Sequence, residues 1–95
     1  MAAYWIVFMD VTHPDEYEEY KKRTPSALAK YGGQFLARGG RAQILEGDKR
    51  DSRIVIIEFP TFEQAITCYR SNEYQEARSF RRNAAHAQIM VVDGL

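Results

Sequence analysis

The chain has 95 residues, 13 Lys and Arg against 13 Asp and Glu, a formal net charge of +0 and 45% hydrophobic residues, as befits one domain with a single modest core. Balanced charge gives no long-range positive field for a phosphate backbone, which argues against nucleic acid as a partner. The lone Cys68 can close no internal disulfide and build no thiolate zinc site, and it suits a reducing compartment.

Met1 to Val11 is apolar but lacks a charged leader and a small-residue cleavage site, and it reaches Asp10 well before a membrane-spanning length. Neither export nor anchoring is expected, and the expected location is cytoplasmic. Tyr4 to Val11 is rich in aromatic and β-branched residues, closes at Thr12-His13-Pro14, and reads as a strand. A helix follows, with Thr12 as its cap, Pro14 in the first turn, and Tyr17, Tyr20, Thr24, Ala27, Leu28 and Tyr31 at helical spacing. Pro25 removes a backbone donor and predicts a kink, and Gly32-Gly33 ends the helix.

Gln34 to Arg38 and Arg41 to Glu46 read as a second strand interrupted at Gly39-Gly40 by a bulge or close backbone approach. A polar connection, residues 47–52, leads to a third strand from Arg53 to Phe59. Thr61 and Gln64 have the spacing of a capping box, and Phe62, Ala65, Ile66 and Tyr69 give the next helix one apolar face. Ser71 caps a further helical stretch from Glu73 to about Asn83, and a last strand runs from about Ala87 to Val92.

The order β-α-β-β-α-β is that of a ferredoxin-like α+β fold, a four-stranded sheet with helices on one face, formed by residues 1–95 as one domain. Right-handed crossovers predict the first and third strands side by side and parallel at the centre of an otherwise antiparallel sheet. Both faces of these strands are apolar: Ile6 and Phe8 oppose Trp5, Val7, Met9 and Val11, and Ile54 and Ile56 oppose Val55, Ile57 and Phe59. Two helices cover only one face, so the chain is predicted to form a homodimer packed sheet to sheet. The alternative leaves Trp5, Met9 and Val11 as scattered exposed residues.

Parallel central strands would bring Asp10 and Glu58 to one sheet edge, where like charges raise one pKa and create a general acid or base. Otherwise, Asp10 helps start the helix and Glu58 pairs with a basic neighbour. That neighbour is Arg41, or Arg38 if the glycine pair bulges, and either guanidinium can grip a carboxylate of the chain or of a ligand. His13 lies near the same edge and is a proton-transfer candidate or simply an exposed histidine. Tyr69, among the helical tyrosines, is a ligand-binding candidate if it faces a cleft and a core residue if it does not. Arg70, Arg78, Arg81 and Arg82, diluted by Glu73 and Glu76, read as a solvated face. No His or Cys pair has metal-ligand spacing, and neither a metal nor a cofactor is expected.

The run Tyr31-Gly32-Gly33-Gln34-Phe35-Leu36-Ala37-Arg38-Gly39-Gly40, with Leu45-Glu46-Gly47, Ile56 to Pro60, Tyr69 to Gln75 and Val91 to Leu95, resembles the domain-of-unknown-function 1330 family over nearly the whole chain. The resemblance implies a dimeric α+β barrel, in a superfamily that includes cofactor-free monooxygenases and muconolactone-isomerase-like enzymes, and it implies no particular reaction. Gln34 and Cys68 depart from the basic residue and the tryptophan expected at those positions. The expected function is a homodimer holding a small carboxylate- or carbonyl-bearing organic molecule between sheet and helices. Arg38 would orient it, Arg41 and Tyr69 would contact it, and Glu58, Asp10 and His13 would serve as proton-transfer groups. The alternatives are a cofactor-free enzyme of the superfamily's kind and a structural or regulatory dimer without ligand.

Overall fold

The computed structural model describes residues 1–95: β1 (Ala3–Val11), α1 (Pro14–Ala29), β2 (Gln34–Arg38), β3 (Arg53–Phe59), α2 (Phe62–Arg70), α3 (Asn72–Ser79) and β4 (Ala85–Asp93). The expected element order holds, with the second helical stretch split in two. Thr61 accepts from the Gln64 amide at 3.1 Å to start α2, and Ser71 accepts from the Tyr74 amide at 3.1 Å to start α3. The cap of α1 differs from expectation: His13 occupies it, without a side-chain capping bond. The Thr12 and His13 amides donate to the Ala84 carbonyl instead, at 2.8 and 3.0 Å, tying the entry of α1 to the start of β4.

The sheet runs β2-β3-β1-β4, and every neighbouring pair is antiparallel. The expected parallel pairing of β1 and β3 is therefore overturned. The right-handed crossover rule governs β1 with β2 and β3 with β4, which are parallel but not adjacent. β3 inserts between β1 and β2, and because it turns back from β2 it opposes both. The second half of the predicted second strand is also absent: residues 39–52 form an exposed loop. The bulge in β2 falls at Leu36, where the register shifts between Phe35 and Ala37, and the glycine pair instead provides a close approach. At Gly39, with φ +72°, any Cβ would collide with the Arg53 guanidinium lying across it.

α1, α2 and α3 cover the face carrying Trp5, Val7 and Met9, with Val55, Ile57 and Phe59 beside them, and these six side chains form the centre of the core. Trp5 is 2% exposed and Met9 1% exposed, so the alternative that left them at the surface fails. Trp5 stacks near Phe59 and Tyr74, ring centroids 5.1 Å away in each case, and its Nε1 donates to the Ala65 carbonyl at 3.1 Å. Burial of such a side chain stabilises by roughly 1.5–3 kcal/mol, and here it also fixes α2 on the sheet. The opposite face has no helix. Its central rows, Ile56-Ile6-Met90 and Ile54-Phe8-Gln88, are set by the antiparallel register, and Met90, Val92 and Leu36 stand in solvent beside them.

Candidate functional site

Antiparallel pairing separates the predicted acid pair. Glu58 lies opposite Tyr4 and Gln34 at one end of the sheet, whereas Asp10 lies opposite His86 at the other end. Both also continue the helix-free face, so neither enters the space between sheet and helices. The Asp10 carboxylate accepts from the Ser52 hydroxyl at 2.6 Å. His13 is exposed, its Nδ1 3.1 Å from the Thr12 hydroxyl, and Arg41 is exposed in the loop after β2. The register thus parts Glu58 from Asp10, the two acids that the sequence placed at one sheet edge.

Arg38 has an occupation that the sequence concealed. Pro25 sits inside α1 and has no N–H to offer the Lys21 carbonyl one turn back. The Arg38 Nη2 donates to that carbonyl at 2.8 Å, and the guanidinium also lies over the Phe35 ring, 4.4 Å from its centroid. Arg38 therefore repairs the helix at its proline and closes one side of a slot beneath α1. That slot, walled by Val7, Tyr17, Tyr20 and Val55, holds only about 20 Å³, about one water.

The roomy space lies on the other side of Trp5. A cleft of about 550 Å³ opens between α2, the end of α3 and β4, with Trp5, Ala65, Ile66 and Tyr69 on one wall and Ala87, Ile89 and Val91 on the other. This volume suits a small organic ligand, and most of its lining is apolar. The geometry follows from the elements. Ala65, Ile66 and Tyr69 share the face of α2 that turns to the sheet, whereas Ala87, Ile89 and Val91 pair with Met9, Val7 and Trp5 on the helix side of edge strand β4. Tyr69, alone among the predicted site residues, lines this cleft.

Arg70, Arg78 and Arg81, with Gln88 and Met90, complete the lining, and no carboxylate does. Arg81 is the residue that periodicity misplaces. α3 stops at Ser79, and the turn that follows, with the Arg81 amide donating to the Arg78 carbonyl at 3.0 Å, swings this side chain inward. It is 6% exposed, lies 5.1 Å over the Tyr20 ring, and reaches the Tyr74 hydroxyl from Nη2 at 3.4 Å. The Tyr20 and Tyr74 hydroxyls are themselves 2.8 Å apart, and burial holds the Tyr74 phenol well above its ordinary range. Tyr74 is therefore a neutral hydrogen-bonding group at physiological pH. Cys68, nearby in the core, is no nucleophile either: burial, then the Glu73 charge, pushes its thiol up to about 12. No group of three or more His, Cys, Asp or Glu side chains stands close enough to hold a metal ion.

A four-stranded antiparallel sheet with helices on one face and a cleft beneath them is the ferredoxin-like arrangement of the α+β barrel class. Within that class the chain belongs to the family known as domain of unknown function 1330, which matches residues 2–95. A protein of unknown function from Rhodopseudomonas palustris has a similar structure, with TM-score 0.73 and 18% identity over 99% of this chain and 82% of that one. SnoaB, a cofactor-independent oxygenase from Streptomyces nogalater, is similar with TM-score 0.70 and 16% identity over 99% of this chain and 93% of that one. A protein of the ethyl tert-butyl ether D family from Bacillus halodurans follows with TM-score 0.60 and 10% identity over the full length of both. At these identities the likeness is one of fold. A search of curated proteins returned no match. No helix is long and apolar enough to cross a membrane.

Proposed function

We infer that the protein is a cytoplasmic homodimer that holds a small organic molecule in the cleft between α2, α3 and β4. The observation that carries this reading is the cleft itself: about 550 Å³ floored by Trp5, in a domain whose matching slot beneath α1 is packed shut. A domain of this size gains by filling such a space, and a void left open beside its largest core side chain forfeits packing that Val, Ile or Leu would supply. Tyr69 stands on the wall with its hydroxyl available to a ligand carbonyl or carboxylate.

The dimer reading rests on the helix-free face. Ile6, Ile56 and Met90 lie side by side there, next to Phe8 and Ile54, over which the loop after β2 brings the Arg50 guanidinium to 3.8 Å from the Phe8 ring centroid, and isolated soluble domains seldom leave such apolar rows wet. A second copy supplies a matching face by symmetry. The expected solution mass is twice that of the 11.0 kDa chain, and Ile56→Asp is expected to halve it while leaving the circular dichroism spectrum unchanged. A monomeric wild type at micromolar concentration would refute the dimer.

The ligand reading is tested by thermal shift against a few hundred organic acids, lactones and quinones, with Ala87→Phe as a variant whose cleft is filled. Ligands that bind the native state raise the melting temperature by mass action, and the variant should lose those shifts. No shift in the wild type, or equal shifts in both, would leave a structural or regulatory dimer as the better account. The similarity to SnoaB favours one second reading, cofactor-free chemistry on the bound molecule in this cleft. Oxygen uptake measured with the ligands that score in the screen would support it, and its absence would leave a binding protein.

A further inference from the structure

We propose that the molecule held in the cleft is an organic anion whose carboxylate, or an equivalent oxyanion, is received by Arg81 at the inner end while its apolar body lies against Trp5, Ile66 and Ile89. This rests on the cleft reading above and adds the chemical class of the ligand and the group that recognises it. An arginine that is 6% exposed carries its charge at a cost unless paired, and buried arginines are ordinarily met by a carboxylate. Arg81 has none. The ion pairs of the chain join Lys21 with Glu18, Arg23 with Glu19, Lys30 with Glu73 and Lys49 with Asp51, all at the surface and none at the cleft. The Nε of Arg81 is buried and unpartnered, and the neighbours of its guanidinium are neutral, the Tyr20 ring at 5.1 Å and the Tyr74 hydroxyl at 3.4 Å from Nη2.

The surroundings add charge of the same sign. Arg70 and Arg78 share the cleft wall, and behind Arg81 a second hollow of about 260 Å³ is lined by Arg78, Arg82 and His86, again without a carboxylate. In a chain of net charge +0, so local an excess of cations concentrates an anion at the cleft's inner end. The apolar walls decide what kind of anion. Inorganic phosphate would satisfy the guanidinium and leave Trp5, Ile66 and Ile89 against water, whereas a ring or short chain bearing one carboxylate satisfies both. A planar guanidinium fork also matches a carboxylate with two parallel hydrogen bonds.

The test is calorimetric titration of the wild-type protein with benzoate, cinnamate and 1-naphthoate, each beside its primary amide, and with inorganic phosphate. The expected result is an acid that binds roughly tenfold or more tightly than its amide, since hydrogen bonds to a charged group are worth about a decade or more in affinity. In Arg81→Gln that preference should vanish. A second measurement avoids dependence on the variant's folding: in the wild type, the naphthoate should shift the guanidinium ¹⁵N–H resonances of Arg81 and the naphthamide should not. Acid and amide binding equally would overturn the anion assignment, phosphate binding as tightly as the acids would overturn the organic body, and either result would leave the cleft reading standing. No binding by any acid or amide would overturn both.

Discussion

The same face of one sheet is treated in two ways on the two sides of Trp5. Beneath α1, Tyr17, Tyr20, Val55 and Arg38 close on one another and leave about 20 Å³; beneath α2 and α3, about 550 Å³ stays open. The difference comes from side-chain size and helix length. α1 spans Pro14–Ala29 and lays two buried tyrosines across the sheet, whereas α2 and α3 are short, and β4 offers Ala87 opposite Met9. One half of the layer is thus core and the other half is a site, although both are built from apolar residues at the same periodicities.

The largest way to break this contrast is Trp5→Ala, which merges slot and cleft into a single void. A loss of about 3–5 kcal/mol is expected in chemical denaturation, and a loss below about 1 kcal/mol would mean that the two halves are not divided by this ring. Val55→Phe and Ala87→Phe sharpen it next. Adding a ring to the closed half should cost about 1–3 kcal/mol, while the ring at Ala87 should change stability by no more than about 0.5 kcal/mol and abolish ligand shifts. Equal costs at the two positions would contradict the difference in packing.

Smaller still is Tyr74→Phe, which strands the Tyr20 hydroxyl and the Arg81 Nη2. A loss of about 1–2 kcal/mol is expected from the removed partner. The smallest effect lies outside both halves. Hydrogen bonding to Lys30 holds the Glu73 carboxyl below its ordinary 4.5, with the Tyr31 hydroxyl donating to the other oxygen at 3.2 Å. A depressed pKa contributes stability above the unfolded value that is lost as pH falls through the folded one. The melting-temperature difference between wild type and Glu73→Gln should therefore be small at pH 7, begin to shrink near pH 4.5 and vanish only once the pH has fallen through the lower folded value, and a difference that grows with acidity would reverse the assignment.

Much of the fold could be read from local chemistry, and much of the candidate site could not. The caps at Thr61 and Ser71, the tyrosine stripe of α1 and the two-faced strands are short-range patterns, and each is found in the molecule. Strand direction is not a short-range property: both directions give β1 and β3 the same alternation, and only the insertion of β3 between β1 and β2 separates Asp10 from Glu58. Nor does alternation say which face the helices choose. Arg81 was hidden for a different reason. It lies in the turn after α3, where helical spacing no longer predicts direction, among arginines that do stay at the surface. The signal available was the end of the Tyr74, Ala77, Phe80 pattern, directly after which Arg81 opens the Arg81-Arg82-Asn83 turn before the Ala84-Ala85 pair.

The proline in α1 and the arginine at the end of β2 share one carbonyl, and this makes them a single heritable unit. An amide at position 25 would compete with the Arg38 guanidinium for the Lys21 oxygen, so each residue sets the worth of the other. Pro25→Ala should be mild in the wild type and most favourable where Arg38 is already gone, a non-additivity that appears when the two changes are combined. Across related sequences the same arithmetic predicts covariation: where the proline is lost, selection on the arginine relaxes, and a basic side chain at the rim of the sheet becomes free to take up another task.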